Sequence, residues 1–156
     1  MRNVPRKERG RNYPIIEVLI AVTILVTVVS LAVPAWTEYR VRSAISECLG
    51  HAEVVKAQIS AYRSATFDWP ERHEMNDVMK AGLTRQCAGF TAYDPDTGSF
   101  QVNVNEAEIN SSLPTLQPQL TPRLKLNVVV GWKCTRGATN ETSFEYLPQE
   151  CRSFNG

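Results

Sequence analysis

Apolar and polar positions divide the chain into stretches of different period. From Tyr13 to Trp36 the sequence YPIIEVLIAVTILVTVVSLAVPAW is apolar almost throughout, and no charged side chain occurs from Val18 to Thr37. At about 1.5 Å of rise per residue, a helix of roughly 20 such residues matches a hydrocarbon layer about 30 Å thick. The one acid at its edge, Glu17, is costly to bury in lipid without a partner, which makes it a functional candidate. From Tyr39 to Ser64 the pattern changes to apolar or small residues at Ala44, Cys48, Ala52, Val55, Ile59 and Tyr62, steps of three and four that define one helical face. Arg40, Arg42, Glu47, Glu53, Lys56 and Arg63 fall mainly off that face. Together these stretches predict one continuous helix, apolar all round in front and amphipathic behind. Pro34 removes a backbone donor and frees the carbonyl of Ser30, so a local kink is expected there, and Gly50 adds a smaller cost.

Beyond the helix the period shortens. A connector follows, with Trp69 before Pro70 and a short helix expected from Glu71 to Ala81, ended by Gly82. Phe90 to Tyr93 and Ser99 to Val104 alternate around Asp94-Pro95-Asp96-Thr97-Gly98, which predicts a hairpin. Glu106 to Pro122 carries Pro114, Pro118 and Pro122 and reads as a loop. Leu124 to Trp132 reads as the strongest strand, with Ser143 to Leu147 as a shorter partner. The fold class expected is α+β, a long N-terminal helix packed on a four-stranded antiparallel sheet.

Charge adds an orientation. Arg2, Arg6, Lys7, Arg9 and Arg11 precede the apolar run against the single acid Glu8, so residues 1–12 are expected to stay cytoplasmic and the remainder to be exported. The run continues into a polar helix with no small-residue cleavage site at its end, unlike a secretory signal. Three segments result: a basic leader over 1–12, the long helix over 13–64 with its apolar part at 13–37, and a head over 65–156. Net charge is +1, which argues against a dedicated nucleic-acid binder. Cys48, Cys87, Cys134 and Cys151 all follow the run, and an even number in an exported domain reads as two disulfides among three possible connectivities.

Candidate chemistry is sparse. Cys48 and His51 lie one helical turn apart, but no C-x2-C pair supports them, and an oxidising compartment favours disulfides over a metal. No metal or other cofactor is therefore expected. Glu71, His73 and Glu74 suit an exposed polar helix, and neither a nucleophile elbow nor a phosphate loop is present. Asn110-Ser111-Ser112 and Asn140-Glu141-Thr142 fit the glycosylation pattern by chance. Arg123, Lys125, Lys133 and Arg136 occur from Ile109 to Asn140 with no acid among them. Beside Trp132 they form either a weak phosphate-contacting strip or a solvated face.

The start YPIIEVLIAV, the segment PAWTEYRVR with Pro34, Tyr39 and Arg42, and the later GWKCT and YLPQEC together resemble a type IV pilin, most like the major subunits of the type IVa class. The resemblance covers most of the chain. It implies that a prepilin peptidase cuts between Asn12 and Tyr13, that Tyr13 is N-methylated, and that Glu17 meets the terminal amine of a neighbouring subunit. It pairs Cys134 with Cys151, and with that Cys48 with Cys87. Asn12 stands where the family has glycine, with Gly10 two residues early, and Pro14 stands where threonine is common.

The function so implied is that of a structural subunit, not an enzyme. It waits in the bacterial inner membrane and is assembled by pilus machinery into an extracellular homo-oligomeric helical fibre, with residues 13–37 as fibre core. Glu17, Tyr13 and Pro34 would act in assembly. The fibre would serve adhesion, twitching motility or DNA uptake, with Trp132, Lys133 and Arg136 as contacts for a host receptor or DNA. Two alternatives stand beside it: a minor pilin or type II secretion pseudopilin that primes assembly, and an unprocessed membrane-anchored binding module.

Overall fold

The computed structural model describes residues 14–80, 82–109 and 112–153, without the side chains of residues 34 and 35. The leader with Asn12, and Tyr13, Ala81, Asn110 and Ser111, lie outside the described residues. Helix α1 runs over Ile15–Thr66 and is assigned without a break through Pro34. The chain divides into two compact units, residues 1–37 and 38–156.

In the first unit, α1 is apolar on every side, and its hydroxyls are turned inward onto the backbone. Thr23, Thr27 and Ser30 donate to the carbonyls of Leu19, Ile24 and Thr27, each at 2.8 Å. With Thr37 Oγ1, which donates to Val33 O at 2.8 Å, these hydroxyls are satisfied within the helix, and from Val18 to Val33 it presents no charged group.

In the second unit, α1 buries Val41, Ala44, Ile45, Cys48, Ala52, Val55 and Ile59. That is the expected stripe, extended by Val41 and Ile45. Its last position is Arg63 rather than Tyr62: Arg63 is buried, contrary to its expected place off the face. Its guanidinium lies 4.6 Å from the Trp69 ring centroid and donates to Asn127 Oδ1 at 2.5 Å. The aromatic face and the amide supply part of what water otherwise would, and Nε is buried without a hydrogen-bond partner among the described residues.

Helix α2 covers Arg72–Lys80, and Gly82 follows with a φ of 88°, as the Glu71 to Ala81 expectation required. Strands β1 (Cys87–Thr91), β2 (Phe100–Val104), β3 (Gln119–Lys125) and β4 (Val128–Thr135) form one antiparallel sheet in the order β1-β2-β3-β4. Helix α3, Glu106–Ile109, follows β2. Phe100 centres the core, with the rings of Phe90 and Trp132 edge-on at 5.6 Å each. The β1–β2 turn is the expected one: Gly98 N–H donates to Asp94 O at 2.8 Å and Asp94 N–H to Ser99 O at 2.9 Å.

Two strands differ from expectation. Leu124 to Trp132 is not one strand but the hairpin between β3 and β4, because Leu126 and Asn127 both take positive φ, 50° and 67°. Such a pair forms the hairpin turn normally signalled by Asn-Gly, and no glycine marks it here. The strand β3 it creates lies partly in the proline-rich stretch expected to be a loop. There the carbonyls of Leu116 and Pro118 already accept from Val104 and Val102, so the chain runs beside β2 before the ladder begins. Pro122 falls beyond the last β2 pair, where β3 has a neighbour on one side only.

The second difference is Ser143 to Leu147, which is not a strand. Glu141–Tyr146 is a 3-10 helix, capped by Asn140 Oδ1, which accepts from Thr142 N–H at 3.1 Å. Ser143 and Leu147 are buried while Glu145 faces solvent, which breaks the alternation a strand would need.

The turn at Gly98 gives a direct test of this packing. A Cβ there would meet Trp69 ring carbons at 2.5 to 2.9 Å, and the φ of 68° disfavours any L side chain. Gly98→Ala should lower unfolding free energy by about 2 kcal/mol or more, read from urea unfolding of the chain in detergent. A neutral result would place Trp69 elsewhere.

Candidate functional site

Three features of this fold are candidates, and the largest is the front of α1. Among the described residues no buried one precedes Val41. Ile15, Leu19, Leu25 and Leu31 are each 60% exposed or more, and the most apolar window of the helix has no part buried. By length and composition this helix is able to cross a membrane. Glu17 lies in the first turn, where a carboxylate suits the helix dipole, and its backbone N–H donates to Pro14 O at 2.8 Å. Its carboxylate makes no ion pair among the described residues. Tyr13 and Asn12, the residues expected beside it in processing, lie outside them.

The disulfide-bounded C-terminal segment is the second candidate. Cys134 on β4 is joined to Cys151, and Cys48 on α1 to Cys87 on β1. Cys48 is thus not available as a thiolate, and His51 beside it lies 3.9 Å from Glu47. The segment closed by Cys134 and Cys151 is held from several sides. Asn140 N–H donates to Thr115 O at 2.9 Å, Ser143 Oγ to Pro114 O at 3.4 Å, and Ser153 Oγ to Cys134 O at 3.5 Å. Arg152 Nε donates to Leu147 O and its Nη2 to Glu145 O, each at 2.8 Å, and Arg42 Nη2 reaches the same Glu145 carbonyl at 3.3 Å. Arg152 carried no sequence signal, since carbonyls 5 and 7 residues upstream are visible only once the segment has turned back on itself.

The third candidate is the basic strip, and the structure separates its members. Arg136 is buried with its guanidinium 4.4 Å from the Phe144 centroid. Burial pulls it down from its ordinary value and Glu141 acts in the opposite sense. Trp132 is half-buried against Phe100. Lys133 is half-exposed on β4, and Arg123 and Lys125 are exposed on β3. A cleft of about 640 Å³ lies here, lined by Thr121, Pro122, Arg123, Trp132, Lys133, Cys134 and Glu150. Trp132 and Arg136 are therefore occupied in packing, while Lys133 and Arg123 line the open side.

A long apolar helix continuing into a stripe under an antiparallel sheet, with a C-terminal segment closed by a disulfide, is the architecture that the resemblance implies. Residues 41–152 match the family model described as Pilin (bacterial filament), more than half of the chain. The match begins at Val41, the first buried residue of α1, and ends one residue past Cys151. It spans the head and its helix stripe and leaves the apolar front outside it. Pilins are structural subunits that assemble into multi-subunit extracellular fibres, and this chain belongs to the pilin family.

Proposed function

We propose that this pilin is a main structural subunit of a type IV pilus, held in the inner membrane by the front of α1 and then packed through the same surface into the fibre core. The observation that carries it is the apolar segment Ile15–Val33, whose side chains are all exposed among the described residues. Hydrophobic surface of this extent needs a non-aqueous partner, first lipid and then the corresponding segments of other copies. Because its hydroxyls are already bonded internally, exchange of lipid for neighbouring helices breaks no hydrogen bond.

Register needs something more than hydrocarbon. Glu17, an acid without an ion pair among the described residues, supplies it if a prepilin peptidase cuts between Asn12 and Tyr13. The new ammonium of Tyr13 is then an ion of opposite sign, and in an apolar core each is costly alone and relieved by the other. Only one axial offset between neighbouring helices brings the two together. The C-terminal segment and the open side of the basic strip are the surfaces left to meet receptors or DNA during adhesion, twitching motility or DNA uptake.

Two measurements test this. Intact mass of the membrane-extracted protein should show loss of residues 1–12 and gain of one methyl group; a retained leader points instead to the unprocessed anchored module. Glu17→Ala should cut the yield of sheared fibres about tenfold or more while head unfolding stays within ~0.5 kcal/mol of wild type, because Glu17 is exposed and is not among the buried residues of the head's core. Fibres at wild-type yield would remove the docking role and favour a subunit that registers by packing alone.

A further inference from the structure

The β3–β4 hairpin breaks two rules at once. Leu126 occupies the first left-handed position of its turn at a φ of 50°, where a residue with a bulky side chain is strained and glycine or asparagine is preferred. It is also 92% exposed, and Leu124, Val128 and Val130 beside it are 43% to 62% exposed. The turn is not loose, since Asn127 Oδ1 receives the buried Arg63 guanidinium at 2.5 Å and ties it to α1. A rigidly held leucine at the tip of an edge hairpin costs folding energy and solubility, and neither is recovered within the chain.

Charge indicates what covers it. From Gln119 to Lys133 the chain carries Arg123, Lys125 and Lys133 and no acid; from Gly137 to Cys151 it carries Glu141, Glu145 and Glu150 and no base. None of these six makes an ion pair among the described residues. The turn joins β4 at Val128 and the acidic segment leaves it after Thr135, at opposite ends of an eight-residue strand; Glu150 returns to the cleft that Arg123 and Lys133 line, which leaves Glu141 and Glu145 as the acids open to another copy.

We propose that the hairpin tip docks on a second copy of this chain, Leu126 and its neighbours against the acidic disulfide-bounded segment of the next head, with Lys125 facing Glu141 or Glu145. Two different, complementary patches on one head make a heterologous contact, the kind that propagates into an open helical filament rather than a closed ring. The contact deepens the fibre role proposed above and rests on it. It adds a head-to-head link to the cohesion of the apolar helices and accounts for a leucine where the turn prefers asparagine.

Leu126→Asn separates the contact from folding, because asparagine accepts the left-handed turn. The full chain carrying Leu126→Asn should unfold at a temperature equal to or above that of wild type, yet yield about tenfold less sheared fibre. In fibres grown from mixed light and heavy-isotope wild-type chains, zero-length carbodiimide coupling should join Lys125 of one isotope to Glu141 or Glu145 of the other. Wild-type fibre yield from Leu126→Asn overturns the proposal while leaving the fibre role intact. So does mixed-isotope coupling that never involves Lys125, or a loss confined to vesicle or DNA binding. If the wild-type chain forms no fibre, both fall together.

Discussion

Hydrophobic surface along α1 must be covered, and each part of the helix is covered in a different way. From Val41 to Ile59 the stripe meets the chain's own sheet, whose central Phe100 packs with Phe90 and Trp132. Each large side chain so buried is worth about 1.5 to 3 kcal/mol, which makes this stripe the main fixed point of the head. From Ile15 to Val33 the same helix is exposed among the described residues. One element therefore carries the folding interface and, apart from it, an exposed apolar surface that the folding of the head does not consume.

The remaining constraints hold the head as a rigid bearer of that helix. The two disulfides close separations of 39 and 17 residues, each worth about 3 to 4 kcal/mol in the chain-entropy account. One ties α1 to the first strand and the other ties the last strand to the C-terminal segment. Arg63 adds a polar tether between the far end of α1 and the β3–β4 turn. Tyr93, whose hydroxyl donates to Pro70 O at 2.8 Å and is raised well above its ordinary value by burial, fixes the connector onto the sheet.

Much of this was legible in the sequence, where one local rule decided the outcome. The apolar run, the helix stripe, the helix stop at Gly82 and the turn at Gly98 each follow from periodicity or glycine chemistry over a few residues. The misread parts were those where tertiary contacts overrode a local pattern. Leu124 to Trp132 looks like an unbroken strand because nothing in Leu126-Asn127 announces a turn; Arg63, 64 residues before Asn127, helps to hold it. The prolines at 118 and 122 suggested a loop, although their missing donors fall where β3 needs none. Ser143 to Leu147 was misread for a local reason as well, since the Asn140 cap was present and outweighed the short alternation after it. At the candidate sites Glu17 stood out by its setting, whereas the inward turn of Arg136 and Trp132 depended on Phe144 and Phe100 and could not be seen from spacing.

The central claim is that the surface from Ile15 to Val33 exchanges lipid for copies of itself. Hydroxyl-radical footprinting of purified, lipid-free fibres measures this directly. The account predicts that side chains from Ile15 to Val33 stay unlabelled at a dose that labels the same residues in the chain unfolded without detergent. Labelling of that segment in intact fibres to the extent seen in the unfolded chain would contradict it.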